Sequence, residues 1–261
     1  MLKKVSSHAA LLALSAFVAQ ADTISLNPTA DAFVAFRAGN AANDTNFGSS
    51  NQLDLYQNGD IYMYAYVRFD FSSLGNITIN SATLTFTKTS NTVESGYPVV
   101  SARNDTLTTG RFGVFGLTDA SGNTAQNWGE TTITANNVGS ERIASQGAQF
   151  DTTTRVVSFD GINETVSSGT TASITGSNGS NLVSFLQERV SPTSFAGSVT
   201  FIVDFPGTGT GQGFALASRE AVSGMPVLML DYTPVPEPSA FALLAGLAGM
   251  GCVGLRRRRR A

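Results

Sequence analysis

Along most of the chain, apolar and polar residues alternate in short runs separated by clusters of Gly, Asn and Ser. A period of two marks β-strands that turn one face inward. The clearest run is Tyr62–Phe71. There Met63, Ala65, Val67, Phe69 and Phe71 share one face, and Tyr62, Tyr64, Tyr66, Arg68 and Asp70 share the other. Ala82, Leu84 and Phe86 likewise alternate with Thr83, Thr85 and Thr87. Further strands are predicted near Ala32–Arg37, Gln52–Tyr56, Phe112–Leu117, Arg155–Phe159, Ser198–Phe205, Phe214–Ser218 and Val227–Tyr232. One stretch departs from the pattern. Leu182, Phe185, Leu186 and Arg189 fall at helical spacing, Ser180 stands where a cap would, and Pro192 stops the run, which predicts a helix at Asn181–Val190. Roughly ten strands without a strand–helix–strand rhythm predict an all-β fold, a β-sandwich of jelly-roll type. The expected core is Phe33, Leu53, Leu55, Val67, Phe69, Leu84, Phe86, Val114, Phe159, Phe201, Val203, Leu216 and Leu228.

Both ends break the alternation. Lys3 and Lys4 precede an apolar run from Ala9 to Val18 and then Ala19-Gln20-Ala21. That order is a secretory signal peptide over residues 1–21, with cleavage expected after Ala21. It implies passage through the Sec export machinery. At the other end, Ser239 to Leu255 carries no charge, and Arg256, Arg257, Arg258, Arg259 and Arg260 follow at once. The span is at the short limit for a transmembrane helix. The arginines would act as a membrane stop signal and hold that end in the cytoplasm. The body, residues 22–233, would then lie outside the inner membrane.

Pro236, Glu237 and Pro238 stand directly before the span. Pro-Glu-Pro, an apolar helix and an arginine cluster, in that order over 234–261, resemble the PEP-CTERM sorting signal of Gram-negative bacteria. The resemblance implies processing by an exosortase, a membrane-embedded cysteine transpeptidase-like enzyme. It also implies delivery to the cell surface or the extracellular matrix.

Composition narrows the chemistry. The one His is His8 and the one Cys is Cys252, both in the terminal segments. The body therefore has no Ser-His-Asp triad, no thiol nucleophile, no His/Cys zinc site and no disulfide. Seven of the 16 cations and no acid lie in residues 1–21 and 239–261, so residues 22–238 carry a net charge of −10 rather than the whole chain's −3. Such a body lacks the basic footprint of a nucleic-acid binder.

The body contains, in order, the segments TADAFVAF, NFGSS, LDLY, YVRFDFSSL, INSATLTF, NWGETTITANN, FALASRE and PVLMLDY. This order resembles the DNRLRE (disaggregatase-related) domain over residues 24–232. The resemblance implies a jelly-roll sandwich of the kind found in microbial surface proteins and beside polysaccharide-degrading enzymes. Asn91–Arg111 departs from it as an elaborated loop.

Three candidate sites follow. Tyr62, Tyr64 and Tyr66 would stand about 7 Å apart on one strand face, from the rise of a β-strand. Exposed, they would form an aromatic platform for carbohydrate, with Arg68 bonding hydroxyls or a uronate. The alternative is that a loop or the second sheet covers the row. Trp128 is read as a loop anchor. A metal would have to be a hard cation with oxygen ligands, hence Ca²⁺. The resemblance implies a structural Ca²⁺ near the chain ends, with Asp31, Asn46 and Glu220 in the matching segments. The alternative makes Asp31 and Asn46 turn residues and pairs Glu220 with Arg219 or another Arg. No other cofactor is expected. An enzyme would need Tyr64, Tyr66 and Arg68 as a lyase site, or two carboxylates. The sequence reading is thus a non-catalytic exported protein that binds extracellular polysaccharide. A polysaccharide lyase or hydrolase and a purely structural coat protein are the alternatives.

Overall fold

A computed structural model describes residues 20–37, 41–58, 61–90, 109–117, 128–136, 156–158, 164–167, 171–177, 180–190, 197–204 and 212–235. The strands are β1 (Asp22–Leu26), β2 (Ala30–Arg37), β3 (Gln52–Asn58), β4 (Ile61–Asp70), β5 (Ile77–Ser90) and β6 (Thr109–Leu117). They continue with β7 (Val156–Ser158), β8 (Glu164–Ser167), β9 (Thr171–Ser177), β10 (Ser198–Asp204), β11 (Gln212–Ala217) and β12 (Val227–Pro234). One α-helix, α1 (Asn181–Val190), and a short 3-10 turn at Ala41–Asp44 complete the described elements.

Every strand pairing is antiparallel. β1, β12 and β5 lie side by side, with β9 on the other edge of β5. The far end of β5 pairs with β11, and the order runs on through β3, β4, β10 and β6. β2 follows the opposite edge of β4, and β7 and β8 pair with β6. The twelve strands thus form one curled sheet. The 14-residue β5 pairs along one edge with β12 over its first part and with β11 at its end, so it carries the ladder from one group to the other.

The core fills the inside of the curl. All the expected core residues that lie among those described are buried, while Phe159 lies outside them. Rings interlock edge to face at its centre: Phe69 and Phe201 are 5.9 Å apart, and Phe86 and Phe112 are 5.6 Å apart. The helix lies where its spacing predicts. Ser180 Oγ accepts the Val183 N–H at 3.3 Å, and Leu182, Phe185, Leu186 and Val190 are buried. Gln187 pins the helix to β5: it accepts the Ile79 N–H at 2.7 Å and donates to the Ile77 carbonyl at 2.9 Å. Those backbone groups, facing away from β12, are satisfied by the helix rather than by another strand.

Among the described residues no helix is long and apolar enough to cross a membrane. The Ser239–Leu255 span, Pro236–Pro238, Arg256–Arg260 and all of the signal segment except Gln20 and Ala21 fall outside them. So does most of the Asn91–Arg111 loop, whose last three residues begin β6.

Candidate functional site

Asp31 is a charged residue in the apolar strand β2, on the same side as Phe33 and Ala35, and only 1% of it is exposed. Two chain segments meet there. Glu130 reaches in from the 128–136 segment, and its Oε1 accepts the Asp31 backbone N–H at 2.9 Å. From the residues after β11, the Arg219 N–H donates to Asp31 Oδ2 at 2.7 Å. One oxygen from each of Asp31, Glu130 and Glu220 lies within 4.8 Å of the other two. Arg219 balances part of this charge. Its Nε is 2.6 Å from Glu220 Oε1 and 3.0 Å from Glu130 Oε1, and its Nη1 donates to the Thr29 carbonyl at 2.7 Å.

Three carboxyls meet the Arg219 guanidinium here, and the Arg68 charge also acts on Glu130. Burial pushes the Asp31 carboxyl up from its ordinary 3.8 to about 8. The Arg219 N–H opposes that rise, and the neighbouring Glu220 and Glu130 charges add to it. Glu220 Oε2 is buried and has no donor other than a proton held on Asp31, which the two carboxyls would share. Without that proton, an unmet acceptor beside two other carboxylate oxygens is a donor set that a hard cation would complete.

Of the three residues expected at a cation site, Asn46 is engaged elsewhere. Asn46 Oδ1 accepts the Gly48 N–H at 3.1 Å, and its Nδ2 donates to the carbonyls of Glu130 at 2.8 Å and Ile133 at 2.7 Å. Asn46 therefore braces the backbone that carries Glu130, and Glu130 is the third carboxylate. Gly48 is part of the same brace. A Cβ at position 48 would lie 1.9 Å from the Glu130 carbonyl oxygen, so the two backbones meet only because position 48 has no side chain. Glu130 was legible only as the acid in NWGETTITANN. Its 99-residue separation from Asp31 hid the pairing.

The tyrosine row is not an open platform. Tyr62, Tyr64 and Tyr66 are 5%, 0% and 2% exposed. They pack with Ala32, Val34, Leu117 and Ile202, and with Ile133 and Ala135 of the 128–136 segment, in a second apolar cluster on the outer side of β4. Trp128 closes that cluster, edge-on to Tyr66 with ring centres 6.0 Å apart. Its Nε1 donates to Thr200 Oγ1 at 3.1 Å. Arg68 completes the anchor: Nη1 donates to the Trp128 carbonyl at 2.7 Å, and the guanidinium lies 5.0 Å over the indole. Burial lowers the Arg68 pKa, opposed by the Glu130 and Asp70 charges. Trp128 is thus the expected loop anchor. Tyr64, Tyr66 and Arg68, the residues a lyase reading would need in contact with substrate, are packed or engaged instead. One segment, 128–136, does two tasks: Trp128 seals the tyrosine face, and two residues on, Glu130 enters the acid cluster.

Two family matches bear on these sites. Residues 22–109 match Carbohydrate-binding module family 96, and residues 234–259 match the PEP-CTERM protein-sorting motif. The first match covers β1 through β5, including Asp31, Asn46 and both alternating strands; the second contains Pro236–Pro238 and Arg256–Arg259. The matches do not show the DNRLRE domain read from residues 24–232. No curated protein matches the chain.

Proposed function

We propose that the chain is an exported, non-catalytic protein of the cell surface or extracellular matrix that binds polysaccharide. Its tail would be handled by an exosortase. The single observation that carries this reading is the pairing, on one chain, of a match to a carbohydrate-binding module with a match to a sorting motif. In this account residues 1–21 are a signal peptide read by the Sec machinery, Ser239–Leu255 is a transient anchor in the inner membrane, and the curled sheet is a jelly roll. Cell fractionation tests the sorting. Intact chain accumulating in the cytoplasm would defeat it, and deletion of Pro236–Pro238 is expected to trap the protein at the membrane.

The acid cluster belongs to this account as the seat of a structural Ca²⁺ held by Asp31, Glu130 and Glu220. The buried Glu220 oxygen and the buried Asp31 carboxyl support it. The ion would supply charge balance beyond that of Arg219 and Arg68. Calorimetric titration of the metal-stripped body with Ca²⁺ tests it. Heat that disappears in Glu130→Gln is the expected result, and no binding in the unmodified protein would refute it.

A further inference from the structure

On the outer side of β12, the residues that do not face the core are Val227, Met229, Asp231 and Thr233. Met229 is 47% exposed, one of three large apolar residues so exposed among those described. The neighbouring strands carry hydroxyls at the same level. On β1, Ser25 lies opposite Met229 and Thr23 opposite Asp231. On β5, Thr83 lies opposite Met229 and Thr85 opposite Val227. Beyond them on β9, Thr175 lies opposite Thr83 and Ser173 opposite Thr85. The Thr85 and Ser173 hydroxyls are 2.8 Å apart, and those of Thr83 and Thr175 are 3.4 Å apart. The surface is therefore an apolar patch of Val227 and Met229 on β12, running into Asp231 and Thr233, with hydroxyls beside it on β1, β5 and β9.

A pyranose ring has the same division. Its ring C–H groups form an apolar face and its hydroxyls form a polar edge. Strands stand about 4.8 Å apart and same-face residues about 7 Å apart along a strand, so the hydroxyls flank Met229 at the scale of one sugar ring. Among the described outer-face residues of β12 and its neighbours, the one charge is Asp231, and Asn80 Nδ2 holds it at 3.1 Å. A chain whose residues 22–238 carry −10, with an acid on this face, repels polyanions and leaves a neutral chain as the matching ligand. Resting on the polysaccharide-binding reading above, we infer that the outer face of β1, β12, β5 and β9 is the binding surface, and that its ligand is a neutral polysaccharide lying along β12.

Affinity electrophoresis of the exported full chain tests this, in gels cast with a neutral glucan, mannan, xylan or galactan, or with a polyuronate. At least one neutral polymer should retard the protein. Met229→Glu and Thr85→Lys should each weaken that retardation by about tenfold or more, since a charge pressed onto a neutral sugar is desolvated without a partner. Both positions are solvent-facing, and an unchanged thermal midpoint confirms that each variant folds. Retardation by a neutral polymer that both variants leave intact would overturn the face while the polysaccharide reading stands. Retardation by the polyuronate alone would overturn the neutral ligand. No retardation by any polymer would overturn this inference together with the reading beneath it.

Discussion

Two strands of this protein carry the same alternation to different ends. β4 places Met63, Ala65 and Val67 inside and Tyr62, Tyr64 and Tyr66 outside; β5 places Ala82, Leu84 and Phe86 inside and Thr83, Thr85 and Thr87 outside. The tyrosines are buried beneath Trp128, Ile133 and Ala135, whereas the threonines stay half-exposed beside the exposed Ser173 and Thr175. The outer row of a strand is thus not a surface by virtue of being outside. Large apolar rings recruit a cover, because leaving three of them in water forgoes the burial that stabilises the fold. Hydroxyl rows gain little from cover and stay open. The row that looked like a ligand platform became core, and the plainer row stayed available.

Truncation should separate the two rows most sharply. Tyr64→Ala is expected to cost roughly 3–5 kcal/mol, the range for deleting a buried aromatic. Thr85→Ala should change stability by less than about 0.5 kcal/mol, as surface substitutions do. Urea unfolding of the two variants checks this, and similar midpoints would erase the distinction.

The cover itself is the next target. Gly48→Ala drives a Cβ into the Glu130 carbonyl and should cost about 1–3 kcal/mol, as overpacking does. Because the same segment carries Trp128 and Glu130, that variant should also lose Ca²⁺ stabilisation. In the unaltered protein, Ca²⁺ at a hundred times its dissociation constant should add about 2.7 kcal/mol. Trp128→Phe keeps most of the ring but loses the bond to Thr200, at a cost of about 1 kcal/mol.

The acid cluster should also make stability depend on pH. Asp31 titrates near 3.8 unfolded and near 8 folded, so between those values the folded state binds the extra proton. Its contribution is fully present below about pH 4 and is lost as pH rises toward 8. Without Ca²⁺, Asp31→Asn should flatten that decline. With Ca²⁺ the ion replaces the proton, and the decline should vanish in the unaltered protein. A Ca²⁺-free stability curve with the same slope in both proteins would contradict the assignment.

Much of this fold could be read from alternation, and the exceptions have physical causes. β4, β10 and α1 lie where the apolar spacing places them because each buries a continuous apolar face. β1 (DTISL) and β9 (TASITGS) went unread, since short Ser/Thr-rich runs carry little hydrophobic signal and are strands through pairing with β12 and β5. At the acid cluster, Asp31 and Glu220 were legible as acids in resembling segments. Glu130 was not, because the brace from Asn46 and Gly48 that aims it appears only once distant loops meet. For the tyrosine row the sequence left a platform and a covered row both open, because alternation says which residues share a face, not what lies on top of them.

The most direct test pairs one residue from the open face around β12 with one from the tyrosine row in the same affinity gel. Met229→Glu should abolish or sharply weaken retardation by the neutral polysaccharide, and Tyr64→Phe, buried under its cover, should leave it unchanged. Retardation lost in Tyr64→Phe and kept in Met229→Glu would contradict the account and return the binding surface to the tyrosine face.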